Sequence, residues 1–280
     1  HIPRIRTAIV DGTAPHVIEP RYPAAVGRYV NLGQFYDVAA IKCSRKDVIH
    51  YTNAVSAAYQ RAYRALGAAR QMSDSASALM RERMDAEKLL RRTDGIIGRE
   101  LRGKGGGGED SLRFLGSLTC QGPVWRFDSV QTLCPRVYQL QDSYGLAALM
   151  LQRLHAAAAA RGFRSVICPD PEHPDLIHHL LLPELGLAFV TSREGMAYSG
   201  SAYRRVRLDT MIDPACAKRF KARIRFSARV AAVLREEGLD ALREAKAAHD
   251  QLEAVYHPHV DFDGVQQLAR EELKRIETYL

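Results

Sequence analysis

Residues 136–168 read RVYQLQDSYGLAALMLQRLHAAAAARGFRSVIC, and the reading of this stretch decides the fold. Residues 137–140 form a short apolar run that breaks at Gln141-Asp142-Ser143-Tyr144-Gly145. An alanine-rich amphipathic segment continues to Arg161-Gly162, and a second apolar run ends at Cys168. Strand, tight turn, helix and strand in this order form the opening βαβ unit of a nucleotide-binding α/β domain. A turn built to hold phosphate reads G-x-x-x-x-G-K-[ST], with backbone amides cradling the phosphates and the lysine reaching the outer ones. Here the turn has one glycine, Gly145, and no lysine occurs between Lys104 and Lys218. The stretch predicts the scaffold of a phosphate site without its chemistry. Asp142, Ser143 and Gly145 open a helix whose first amides can hold an anion, yet Asp142 is itself an N-cap residue and repels phosphate.

Composition bounds the rest. The 280 residues are enough for one large or two modest domains, and 46% apolar with 26% charged residues is ordinary for a globular protein. The net charge is +8, with arginine spread along the chain rather than packed into one block. That charge is compatible with an anionic partner, but a nucleic-acid role is not the expected one. Five cysteines without a C-x-x-C pair predict reduced thiols, a cytoplasmic protein and no zinc site. No apolar run reaches the ~18 residues that a membrane span needs, so no membrane partner is expected. The chain starts at His1 rather than at Met, which predicts a processed or truncated amino end.

Outward from the central stretch, residues 4–11 (RIRTAIVD) read as a strand docked into a sheet, followed by the loop Gly12-Thr13-Ala14-Pro15-His16. A short strand is expected near residues 29–32. Apolar residues at three- and four-residue steps predict a helix over 38–72, a break at Ser73-Asp74-Ser75, and a second helix over 75–101. Residues 103–108 (GKGGGG) read as a flexible linker. Strands follow at 112–120, 124–127 and 137–140. After the βαβ unit, 169–174 read as a loop, 175–182 as a short helix, 185–191 as a strand and 203–208 as an edge strand. Asp213-Pro214 opens a helix that Gly238 ends near 237. Another helix runs to Tyr256, and Asp261 caps the last one.

Parts of the chain echo one another. Residues 2–11 lie over 182–191, residues 28–37 (RYVNLGQFYD) over 204–213 (RRVRLDTMID), and Met84-Asp85 over Val260-Asp261. With these echoes, several motifs carry a family resemblance: Asp11-Gly12-Thr13-Ala14-Pro15-His16 with Pro20, Tyr22 and Pro23; Asn31-Leu32-Gly33; Gly122-Pro123-Val124 with Asp128-Ser129; Pro183-Glu184-Leu185-Gly186; and Ala247-Ala248-His249-Asp250 through Pro258 and Asp261-Phe262. Across nearly its whole length the chain resembles the tandem-repeat P-loop ATPase-like proteins of bacteria. Each of their two halves carries a nucleotide-binding domain and a helical hairpin. The resemblance implies an α/β, P-loop NTPase-like, mainly parallel sheet with appended helical hairpins and partial internal duplication. Residues 1–102 would be the carboxyl-terminal part of a first repeat, 103–111 a linker and 112–280 a second, degenerate repeat.

The departures matter as much as the match. The phosphate loop of the first half would lie upstream of His1. The second half has no lysine in its loop, and Thr191 stands where the first half has Asp11. If Asp11 matches the family's magnesium-holding acid, Asp11, Thr13 and His16 are the candidates for holding Mg²⁺ or a water beside a nucleotide. A loop fixed by its own hydrogen bonds is the alternative. The resemblance leaves Mg-ATP open through the first half and implies none in the second. No catalytic or metal-ligating residue is assigned. Cys168, Asp170, Glu172, His173, Asp175, His178 and His179, and the segment His257-Pro258-His259, match no known ligand spacing. Arg204, Arg205, Arg207, Arg219, Lys221, Arg223, Arg225 and Arg229 form the densest basic region, expected as a solvated face. Function reads first as an ATPase-like protein whose second half has lost hydrolysis and serves as a structural or regulatory half. The alternatives are an active ATP-binding enzyme completed upstream of residue 1, or a basic interaction module. A nucleotide, a protein partner or a second copy remain open as partners.

Overall fold

The structure is a computed structural model that describes residues 1–13, 17–193 and 195–280, with Pro3 described by its backbone only. In chain order it contains α1 (Val38–Cys43), α2 (Arg45–Arg81), α3 (Ala86–Glu100), β1 (Ser111–Leu112), β2 (Gly116–Thr119), β3 (Gly122–Trp125) and α4 (Asp128–Leu133). Then come β4 (Arg136–Gln141), α5 (Ala147–Ala159), β5 (Val166–Asp170), β6 (His173–Leu182), β7 (Leu187–Ser192), β8 (Arg204–Arg207), α6 (Pro214–Tyr256) and α7 (Phe262–Glu277). Among the described residues no helix is long and apolar enough to cross a membrane.

The fold is mixed α/β around a six-stranded sheet of order β1-β5-β6-β7-β4-β8. β1 pairs parallel with β5, and β4 lies parallel between β7 and β8. Only β6 runs against the others, antiparallel to both β5 and β7. Successive residues of the inner strands face opposite layers. Leu180, Leu182, Leu187 and Phe189 join one core with Leu89 and Ile96 of α3 and Met150, Leu151 and Leu154 of α5. Leu181, Ala188, Val190 and Val137 join the other with Phe127 and Val130. Both faces are covered, so the strands read as continuous apolar runs rather than alternating ones. Each fully buried leucine contributes roughly 1.5–3 kcal/mol.

Several expected elements change. Residues 4–11 form no strand; a 3₁₀ turn at Pro3–Ile5 is followed by irregular chain in which Ile9 is 71% exposed. Residues 29–32 form none either, and a 3₁₀ turn occupies Leu32–Phe35. A strand needs a ladder partner; among the described residues, 4–11 make only the isolated Ile2–Thr7 bridge, and 29–32 make none. The expected break at Ser73-Asp74-Ser75 is helix interior, since α2 continues to Arg81. Asp74 there engages His173 at 3.0 Å rather than capping a new helix. The break comes at 82–85, where Asp85 caps α3 by accepting from the Lys88 amide at 2.8 Å. Residues 175–182 are strand, not helix, because β5 and β7 ladders take them on both sides. Gly238 does not end a helix but lies buried inside α6. A Cβ there would come within 2.7 Å of the Leu66 side chain and 3.4 Å of the Ala62 carbonyl, so its missing side chain lets α2 approach.

The chain divides into two compact units, His1–Val55 with Ala247–Leu280, and Ser56–Lys246. Residues 103–108, expected as a linker, fall within the second and are tied down. The Gly105 and Gly107 amides donate to the carbonyls of Arg161 and Gly162 at 2.9 Å, and the Gly106 amide to Glu184 Oε2 at 3.0 Å.

Each unit holds a corner made of the same parts. In the first, Tyr36 bridges Val260, the Asp261 amide donates to the Phe35 carbonyl at 2.9 Å, and Asp261 caps α7 through the Gly264 amide at 2.9 Å. In the second, Ile212 bridges Met84, the Asp85 amide donates to the Met211 carbonyl at 2.8 Å, and Asp85 caps α3. A 3₁₀ turn precedes the bridge in both, at Leu32–Phe35 and Leu208–Met211.

Candidate functional site

β4 leaves the sheet between β7 and β8 and turns at once into the loop before α5. Open α/β sheets place ligands at such carboxyl ends, and the start of the following helix offers unpaired amides. Asp142, only 3% exposed, takes the first two of these amides and one from the loop before them. Its Oδ1 accepts from the Tyr144 amide at 3.1 Å and the Leu146 amide at 2.9 Å, and its Oδ2 accepts from the Ala147 amide at 2.7 Å. The Ser143 amide and hydroxyl donate to Asp209 Oδ1 and Oδ2 at 2.9 and 2.8 Å. Gly145 completes the turn in the left-handed region, at φ +73°.

Four amides in five successive positions, 143, 144, 146 and 147, therefore donate to two carboxylates of the chain. Burial pushes the Asp142 carboxyl above its ordinary range, with the charge of Asp209 adding to the shift and the three amides opposing it. Two acids at one helix start suit the positive end of the helix dipole. They also occupy amides that an anion bound at this helix start would need, and with the same sign of charge.

A cavity of about 820 Å³ lies beside this loop, bordered by Asp74 and Arg81 of α2, Gly145, Leu149 and Gln152, and His173 of β6. Arg81 forms no ion pair among the described residues, and its guanidinium lies 3.9 Å from where a Gly145 Cβ would stand. Arg81 is thus the cation bordering the turn, which contains no lysine of its own.

Of the residues expected from sequence, Asp142, Ser143 and Gly145 come together as one loop; the N-cap position of α5 is Leu146 rather than Asp142, whose carboxylate reaches the first helix amides from four positions upstream. Asp11 and Thr13 belong to the other compact unit. The Thr13 amide and hydroxyl donate to Asp11 Oδ1 at 2.9 and 2.8 Å, a local turn at an exposed site. His16 lies outside the described residues. Asp209 was missed; its signal was an acid two positions after an edge strand in a neighbouring parallel register.

The histidine cluster has a backbone cause. Cys168 pairs with His179 but Pro169 pairs with Ile177, so His178 is the extra residue of a β-bulge. Both rings consequently share one side of the strand, stacked at 4.3 Å with 23° between planes. Trp125 and Phe127 meet them edge-on at 6.0 and 5.5 Å. His179 Nδ1 accepts from the Thr191 amide at 3.1 Å, which puts the ring proton on Nε2. Burial drives His178 down to about 3 and His179 well below its ordinary value, so both are neutral. Burial raises the Cys168 thiol to about 12, which makes it a packing group rather than a nucleophile. Among the described residues the group of potential ligands that gathers within 4.8 Å is instead His249, Asp250 and Glu253, all exposed.

No protein-family model, curated protein or solved structure matches the chain.

Proposed function

We propose that residues 56–246 are a P-loop NTPase-like unit whose phosphate site is closed from inside, so that this part of the chain serves as a structural or regulatory half rather than as a hydrolase. One observation carries the reading: the amides at 143, 144, 146 and 147, where a phosphate would be cradled, already donate to Asp142 and Asp209. A triphosphate entering there must displace two carboxylates, or share the loop with their charge and without a lysine. The strand–loop–helix order at the carboxyl end of a mainly parallel sheet supports the ancestry. The two like corners, at Tyr36–Val260 and Met84–Ile212, support partial internal duplication.

Thermal unfolding with increasing Mg-ATP tests this. A ligand that binds the native state must stabilise it, by about 2.7 kcal/mol at a hundredfold excess over Kd. The expected midpoint is unchanged up to millimolar Mg-ATP. A saturable rise that Gly145→Val abolishes would place a working nucleotide site at the loop and overturn the reading.

A further inference from the structure

The longest helix, α6, separates its charge along its length. Between Pro214 and Arg235 it carries Lys218, Arg219, Lys221, Arg223, Arg225, Arg229 and Arg235, with no acid among them. Beyond Arg235 come Glu236, Glu237, Asp240, Glu244, Asp250 and Glu253 against Arg243 and Lys246. The cations of the later part are answered locally, Arg243 by Glu236 at 2.9 Å and by Asp240. Arg235 is answered by Glu172 at 3.0 Å. Lys218, Arg219, Lys221, Arg223, Arg225 and Arg229 are exposed, and none of them has an ion pair among the described residues.

Helix geometry gathers them. At 3.6 residues per turn, Lys218, Arg225 and Arg229 fall within an arc of about 40°, over roughly 16 Å of axis. Phe220, Ile224, Ser227 and Ala231 turn the opposite way into the protein's own core or against it. Arg219 with Arg223, Lys221 with Arg225 and Arg225 with Arg229 stand four residues apart, where like charges destabilise a helix. An array that weakens its own helix and has no internal counter-ion is matched by an external polyanion.

We propose that this face of α6 binds the phosphate backbone of a single-stranded nucleic acid. The inference is independent of the closed loop. Phe226, 56% exposed beside Arg225 and Arg229, supplies an aromatic surface on which a base can stack. A membrane surface suits the face less well, since a helix lying on lipid inserts its apolar side, and that side of α6 is already packed.

The test is fluorescence polarisation with a labelled 20-nucleotide RNA of mixed sequence, titrated with the full chain at 50 and 200 mM salt. Binding at micromolar protein is expected, and it should weaken with salt. The triple variant Lys218→Gln, Arg225→Gln, Arg229→Gln should bind at least tenfold more weakly and lower the salt slope by about 2, three phosphate contacts at ~0.7 each. Phe226→Ala should weaken binding at least about fivefold. Arg243→Gln, which removes an internally answered cation, should leave binding unchanged. Circular dichroism confirms that each variant is folded before it is titrated. Absence of RNA binding at 50 mM salt, or equal binding by wild type and the triple variant, overturns the proposal. So does binding to vesicles containing anionic lipid that is lost in the triple variant while RNA is not bound.

Discussion

The start of α5 and the first half of α6 treat charge in opposite ways. At α5 the donors are backbone amides, and two carboxylates of the same chain answer them at 2.7–3.1 Å. On α6 the donors are side-chain cations, and six of them form no ion pair among the described residues. Helix-start amides are a property of the backbone that any nearby acid can consume without altering the fold. Side-chain cations persist only where the sequence keeps them. One fold can therefore have the amides of a loop taken by its own acids and still present unpaired cations on another element.

The largest effect expected from breaking this contrast is at Asp142. Asp142→Ala leaves three amides at a buried helix start without their acceptor, and denaturant unfolding should show a loss of about 3 kcal/mol. Asp142→Asn keeps an acceptor and should lose less. A loss under about 0.5 kcal/mol for Asp142→Ala would mean that the amides find other partners and the loop is not closed by this residue.

Next in size is Glu100, the carboxylate that answers Arg136 and Arg99. It accepts from Arg136 at 2.6 Å, Tyr138 at 2.5 Å and Arg99 at 3.2 Å. Burial alone would raise its pKa, but the hydrogen bonds from Tyr138 and Arg99 and the Arg136 charge outweigh it and hold the group below its ordinary 4.5. Its contribution is fully present above pH 4.5 and disappears as the pH falls through the lower folded-state value. Glu100→Gln should cost about 2 kcal/mol at pH 7 and flatten the acid limb of the stability curve below pH 4.5. An unchanged acid limb would show that Glu100 is not a paired carboxylate.

Asp209→Ala should cost less, about 1 kcal/mol, because Ser143 is exposed and water replaces the lost acceptor. The smallest effect belongs to α6. Arg225→Gln should change stability by under about 0.5 kcal/mol, toward higher stability at low salt, as it removes two like-charge neighbours. A marked loss would reveal an internal partner for Arg225 and remove the contrast.

The sheet and its central loop were legible because their cues are local. The apolar runs at 137–140 and 185–191, the turn at Gly145 and the acid at Asp142 all lie within a few residues of what they determine. The misreadings arise where distant chain overrides a local cue. Ser73-Asp74-Ser75 reads as a break, but His173 engages Asp74 inside a continuing helix. Gly238 reads as a stop, but Ala62 and Leu66 of α2 need its missing side chain. Residues 175–182 read as helix because the ladders to β5 and β7 are not visible locally. Asp209 closes the loop across 66 positions of sequence, a distance at which pattern gives no warning.

The most direct measurement is an amide NMR titration of the full chain with Mg-ATP and, separately, inorganic phosphate, followed at Ser143, Tyr144, Leu146 and Ala147. If the loop is closed from inside, the four resonances stay in place to millimolar ligand while the protein remains folded. Saturable shifts at these four amides, with either ligand, would contradict the closed site.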